Sequence, residues 1–364
     1  MAHTSSVVFA GIAPHPPIMV PEVGREAIAE VRSSIDAMLV LTERVIQSGA
    51  ETVILISPHA PLESQAFVAY DGPQLYGDFA NFRAPGTAVQ AELDDELLHE
   101  ITRAAAAENL LTLKIGGREL DHGTAVPLYF LQRNGWSGHV VALGYSFLSN
   151  EDHVRFGKCI RAAIDKLGRP VAFIASGDLS HRLKPEAPAG FNPEAHRFDE
   201  EVVDAIKSRA TSRIVEIDPE LRRMAGECGY RSMLVAIGLA DGFDQSCEVI
   251  SYEAPFGVGY LVAQLFVAGS AAGSADILSA QRAERAQTSK TVIPTSGTEP
   301  IAVAIGSETQ LEINHSSGAD LPALARQVVE TFVTTGGVID APTHLSELLS
   351  QRAGCFVSIK TRAG

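Results

Sequence analysis

Three of the chain's eleven histidines stand in comparable places. His15 lies in Ala-Pro-His-Pro-Pro, two residues past a short apolar run. His59 lies in Ser-Pro-His-Ala-Pro, two residues past ETVILIS. His181 closes Ser-Gly-Asp-Leu-Ser-His, a few residues past VAFIAS. If those runs are parallel strands, all three histidines sit beyond carboxyl ends, where open α/β sheets hold their ligands. The flanking prolines stiffen the loops and suit a pre-organised site. Imidazole both ligates metals and carries protons near neutral pH. One such residue is ordinarily a loop histidine with a hydrogen bond. Three at equivalent strand ends point to a metal or acid–base site.

A metal site needs a third donor, and Glu227-Cys228 supplies two adjacent ones. Two imidazoles and a carboxylate, with open positions opposite, are the arrangement of non-haem Fe(II) enzymes that use O₂. Two imidazoles and a thiolate favour softer metals such as copper(I) or zinc. Adjacency leaves the choice open. In the plainer reading, Glu227 caps a helix or pairs with a neighbouring Arg such as Arg223, and Cys228 fills space. Asp121-His122-Gly123 opens an apolar helix, whose N-terminus would favour a nearby oxyanion or phenolate, unless His122 merely caps it. His196 reads as part of a solvated helix face. His3, His99, His139, His153, His315 and His344 show no grouping. The sequence has no GxSxG elbow, P-loop, HExxH or strand-following GxGxxG. Ser180 beside His181 is too little for a serine hydrolase, since sequence neighbours do not make a nucleophile–base pair.

The elements that would position these residues alternate. Strands are expected near 6–13, 51–57, 65–70, 110–115, 139–145, 171–176, 248–252 and 257–266. Helices are expected near 22–48, 89–107, 151–167, 196–208, 219–225 and 229–239. Continuous apolar strands between helices imply an α/β fold, a three-layer αβα sandwich on a mostly parallel central sheet. This domain is expected over residues 5–268. Residues 269–318, rich in Ala, Ser, Thr and Gly, read as a flexible linker with at most a short strand at 301–305. Leu321, Leu324, Ala325, Val328, Val329 and Phe332 then fall at helical spacing behind Asp320 as N-cap. A strand at 355–360 follows, so residues 319–364 make a short α/β fragment.

Composition narrows the classes. The 364 residues are 46% hydrophobic and 20% charged, the balance of a globular chain, and 29 Lys+Arg against 44 Asp+Glu leave a net charge of −15. No basic cluster suits nucleic acid, and no run nears the roughly 18 apolar residues of a membrane helix. Residues 1–13 lack the basic and apolar regions of a secretory signal. Cys159, Cys228, Cys247 and Cys355 are scattered, with no CxxC pair, which argues against a disulfide framework and for a reducing, cytoplasmic setting.

Taken in order, APHPP, ISPHAP, LDHGTAVPL, SGDLSHR and GECGYR resemble the class III extradiol ring-cleavage dioxygenase superfamily, typified by the catalytic subunit of the protocatechuate meta-cleaving enzyme. The stretches SHRLKPEAPAGFNPEAHRFDEE and ECGYRSMLVAIGLADG look particularly like the bacterial Memo-like branch of the AmmeMemoRadiSam system. LPALARQVVETFV and GCFVSIK resemble the opening of an AMMECR-type domain, here partial. The resemblance implies Fe(II) held by His15, His59 and Glu227, with His181 as acid–base residue and His122 beside the substrate. It implies an O₂-dependent opening of a catechol or 2-aminophenol ring, with His181 taking a proton from the substrate and later returning it. In Memo proteins the position of Cys228 can be the ligand instead. The second reading is therefore a metal-binding or redox protein that acts with a radical SAM partner and cleaves no ring. A third, a zinc-assisted hydrolase, would need no O₂. The expected partners are a small aromatic substrate and O₂, with a radical SAM protein and further copies of the chain as candidates, and neither nucleic acid nor membrane.

Overall fold

The computed structural model of the chain describes residues 5–243 and 246–268. The expected linker at 269–318 and fragment at 319–364 lie outside the described residues. In chain order, β1 (Val7–Ala13) leads through α1 (Pro21–Gly24) and α2 (Arg32–Gln47) to β2 (Thr52–Ser57) and β3 (Ala66–Asp71). A hairpin of β4 (Gln74–Phe79) and β5 (Ala84–Glu92) precedes α3 (Asp95–Ala107), β6 (Leu111–Gly116), α4 (His122–Arg133) and β7 (His139–Gly144). Then come α5 (Asn150–Leu167), β8 (Val171–Ser176), α6 (His196–Lys207), α7 (Pro219–Ala225), α8 (Tyr230–Leu239), β9 (Glu248–Glu253) and β10 (Tyr260–Val267).

Eight strands form one sheet in the order β6-β3-β7-β2-β8-β1-β10-β9. The central run β7-β2-β8-β1 is parallel throughout, and β3 pairs in parallel with β6; β3 meets β7, and β10 meets β1 and β9, antiparallel. The sheet is mixed, mostly parallel and flanked by helices, the expected three-layer α/β fold. Its strands read as unbroken apolar runs because both faces are covered. On β2, Ile54 and Ile56 enter a core with α3, α5, α6 and α8, whereas Val53 and Leu55 enter the opposite core with α2 and α4. This period-2 division repeats on β7 and β8.

Two expected helices differ in extent. The stretch 22–48 is broken: α1 ends at Gly24, a 3₁₀ segment spans Arg25–Val31, and α2 begins at Arg32. The stretch 89–107 is helical only from Asp95, because Val89 to Glu92 pair with β4 and the Asp94 carboxylate accepts from Leu97 N at 3.0 Å, capping α3. The β4–β5 hairpin is not visible in the sequence pattern. Among the described residues, no helix is long and apolar enough to cross a membrane.

Candidate metal centre

The four central strands run side by side in one direction, so their carboxyl ends form a row. Past these ends stand His15 (β1), Asp178 (β8), His59 (β2) and Tyr145 (β7). From one face of the sheet the start of α4 brings His122. From the other, the turn between α7 and α8 brings Glu227 and Cys228. Close approach of backbone makes the second delivery possible: a Cβ on Gly177 would collide with the Gly229 Cα, and one on Gly229 would lie 2.9 Å from Gly177. Only glycine at both places lets the SGD and ECG segments touch. The Cys228 and Gly229 amides then donate to the Asp178 carbonyl, at 3.4 and 3.0 Å.

His15, His59 and Cys228 each place one donor atom within 4.8 Å of the other two. The two Nε2 atoms are 3.0 Å apart, and Cys228 Sγ is 3.7 Å from His15 Nε2. His15 is buried and His59 is open to solvent. The tautomer of His15 follows from its neighbours. Ser176 Oγ donates its one proton to the Gly123 carbonyl at 2.5 Å, so it must accept from His15 Nδ1–H at 3.0 Å. His15 Nε2 therefore presents a lone pair to His59 Nε2, and the gap suits a proton or a cation. Asp178 borders the same space: its Oδ1 accepts from His15 N at 3.0 Å, and its Oδ2 is 3.9 Å from His15 Nε2.

Asp121 holds the other wall. Its Oδ1 accepts from Ser57 Oγ at 2.5 Å and Thr124 N at 3.2 Å; its Oδ2 accepts from Tyr70 OH at 2.9 Å and Thr124 Oγ1 at 3.0 Å. Ser57 Oγ in turn accepts from His59 N at 3.1 Å. One carboxylate thus ties the His59 loop to the first turn of α4, and caps that helix. The His122 ring stacks on that of His59 at 4.1 Å and meets the Phe82 ring at 5.4 Å. Gly123 is again obligatory, since a Cβ there would strike Ser57 Oγ.

His181 is pinned by its backbone, donating from N to Ala225 O at 3.0 Å, while Asp199 accepts from Ser180 N at 2.9 Å just before it. Its Nδ1–H donates to Leu179 O at 2.9 Å, so Nε2 is the free acceptor. Desolvation lowers the pKa of all four imidazoles, at His59 through the protein packed around one side of a ring that still meets solvent. His122 adds to the effect at His59, which falls to about 4, and His59 adds to it at His15 and His181. At neutral pH they are uncharged, as ligands and bases must be. Burial, with Asp178 beside it, pushes the Cys228 thiol well up, and burial lifts the Asp178 carboxyl to about 7.

The sequence-nominated histidines 15, 59, 122 and 181 and Cys228 therefore surround one space. The Glu227 carboxylate has another occupation: its Oε2 accepts from Tyr230 N at 2.7 Å at the start of α8. Arg223, its suggested partner, pairs with Glu220 instead. Asp178, Phe82 and Tyr145 at the same site were not singled out by sequence reasoning; the row of strand ends is the signal that finds Asp178 and Tyr145.

A family described as the catalytic LigB subunit of aromatic ring-opening dioxygenase matches residues 10–263. Protein CA_C1420 of Clostridium acetobutylicum is 30% identical over 361 residues, 96% of this chain and 72% of that protein. A MEMO1 family protein of Archaeoglobus fulgidus is 25% identical over 164 residues, 45% of this chain and 58% of that protein. The crystal structure of uncharacterized protein JW3007 from Escherichia coli K12 aligns with a TM-score of 0.49 and 14% identity, over 71% of this chain and all of that one. With more than half its length matched, the chain belongs to the family of the catalytic LigB subunit of aromatic ring-opening dioxygenases.

Proposed function

We propose that the chain is a ferrous-iron-dependent dioxygenase that opens the ring of a catechol or 2-aminophenol. The observation that carries this reading is the pair of imidazole Nε2 atoms 3.0 Å apart, with a third donor in reach, at the strand ends of a LigB-family domain. The donor set fits a divalent transition metal: two neutral imidazoles and an anionic group. His15 and His59 would hold it with Cys228, whose sulfur faces them, or with Glu227 if its carboxylate leaves the Tyr230 amide. Bound there, ferrous iron supplies the electron transfer between an electron-rich ring and O₂.

The chain's own groups do the rest. His181, neutral and with Nε2 free, takes the proton of a substrate hydroxyl and returns it to the product. His122, at the N-terminus of α4, faces developing negative charge as a donor. Phe82, whose ring meets that of His122, gives the substrate ring apolar company.

A second reading is favoured by one observation, the sulfur rather than the carboxylate facing the histidines. In it the protein is a Memo-like metal-binding or redox protein of a radical SAM-associated system that cleaves no ring. Anaerobic Fe(II)-loaded protein treated with nitric oxide separates the two. A high-spin iron–nitrosyl EPR signal that shifts with a catechol panel is the expected result. Folded, metal-loaded protein without that signal would move the assignment to the second reading.

A further inference from the structure

The peptide group between Leu179 and Ser180 joins a buried carboxylate to the imidazole of His181. Its N–H donates to Asp199 Oδ1 at 2.9 Å, and its carbonyl accepts from His181 Nδ1–H at 2.9 Å. The two bonds lie at opposite sides of one planar amide. A negative acceptor on the N–H polarises that amide and makes its carbonyl oxygen a stronger acceptor for the ring. The amide is also held in place. Leu179 N donates to Gly259 O and Gly259 N to Ser180 O, both at 2.8 Å. His181 N donates to Ala225 O at 3.0 Å, and Ala189 N to His181 O at 3.3 Å. Every backbone donor and acceptor from Leu179 to His181 is thus engaged, and the amide cannot turn without breaking several bonds.

Asp199 is built into this arrangement. It lies in the first turn of α6, where the helix dipole favours negative charge, and it is 1% exposed. Tyr252 of β9 donates its hydroxyl to Asp199 Oδ2 at 2.7 Å, which turns Oδ1 to the Ser180 amide. The backbone at Gly259 closes over the same carboxylate, since a Cβ there would strike Oδ2. Burial raises the Asp199 carboxyl above its usual range, and the hydrogen bonds from Ser180 and Tyr252 oppose that rise. Which nitrogen of an imidazole carries the proton is set by the partner of the other. At His181 that partner is the carbonyl on which Asp199 acts.

We propose that Asp199 is a positioning residue for His181: through the Leu179–Ser180 peptide it keeps the imidazole proton on Nδ1 and leaves Nε2 the free acceptor. This deepens the proton-transfer role given to His181 above and rests on that reading for its effect on turnover. The tautomer itself needs neither metal nor substrate, so the two can fail separately. Magnetic resonance of the full metal-free chain, carrying isotope-labelled histidine at neutral pH, distinguishes protonated from unprotonated ring nitrogens, with His181→Gln to assign the signals. Wild type should hold the His181 proton on Nδ1; a proton on Nε2 there would overturn the proposal. Asp199→Asn can still accept from Ser180 N but lacks the charge, and should move the Nε2 signal towards the protonated position. Asp94→Asn is the control. It alters another buried carboxylate, bonded to Thr52 Oγ1, Leu97 N and Arg169, and should leave His181 as it is. Melting curves verify that each variant is folded. An unmoved signal in Asp199→Asn, or an equal movement in Asp94→Asn, would overturn the proposal. With ferrous iron and a diol that wild type turns over, Asp199→Asn should lower kcat about tenfold or more with KM little changed; an effect on KM alone would overturn the positioning role. If wild type turns over no diol, the ring-opening reading fails, and the tautomer still decides this one.

Discussion

At the scale of single residues, the proposed reading assigns proton handling and ligation to different side chains. His181 has its Nδ1 proton committed to Leu179 O, which leaves Nε2 as the free acceptor for the proposed proton transfer. His181→Ala should keep metal, measured by stoichiometry, yet lose about 10²–10⁴-fold in turnover; loss of metal would make it a ligand. Cys228 and Glu227 are adjacent but differently engaged, one facing the histidines and the other the Tyr230 amide. Cys228→Ala should lower metal affinity far more than Glu227→Ala, and the reverse would return the ligand role to the carboxylate. The sequence nominated both and could choose neither, because one residue of spacing says nothing about which side chain turns inward. Asp178 lay inside a quoted motif and passed unnoticed. A lone aspartate after a strand is common, and only the parallel register of β1 and β8 brings it to His15.

At the scale of elements, two contacts between segments decide whether the donors meet. The Gly177–Gly229 approach joins the end of β8 to the turn before α8. Gly177→Ala should destabilise the fold by about 1–3 kcal/mol through overpacking, and should weaken metal binding more than a comparable change on a remote surface, since Cys228 moves with its backbone. Titration calorimetry beside thermal melts distinguishes the two effects. The second contact is the Asp121 carboxylate, which gathers Ser57, Tyr70 and Thr124. Asp121→Ala leaves the Tyr70 hydroxyl without its acceptor and removes the α4 cap, a loss of roughly 1–3 kcal/mol. The apolar runs made the central strands legible, because burial on both faces removes ambiguity of register. The β4–β5 hairpin escaped, since Ala84–Glu92 is short of apolar residues and Val89 could extend the helical pattern that follows. With it escaped Phe82, which the turn of that hairpin sets against His122.

At the scale of the whole molecule, buried titratable groups make stability depend on pH in opposite senses. His153 is fully buried, and its pKa falls to about 4 in the folded state. Between that value and 6.5 the unfolded chain binds more protons, so stability rises with pH across this window, by roughly 3 kcal/mol for this group. The lowered imidazoles of the candidate centre act in the same direction. Asp178, lifted to about 7, acts oppositely: the folded state keeps the proton longer, so its contribution is lost as pH rises from about 4 through 7. In metal-free protein, His153→Gln should flatten the acid limb of melting temperature against pH, and Asp178→Asn should remove the decline towards pH 7. A divalent metal adds a third dependence. Its stabilisation follows its occupancy, and binding requires imidazoles without protons and a Cys228 thiol that has given up its own. Burial and Asp178 make that last proton hard to remove. The increase in melting temperature on adding metal should therefore grow with pH, and should shrink in Cys228→Ser. An increase independent of pH, or undiminished in that variant, would place the ion away from His15, His59 and Cys228.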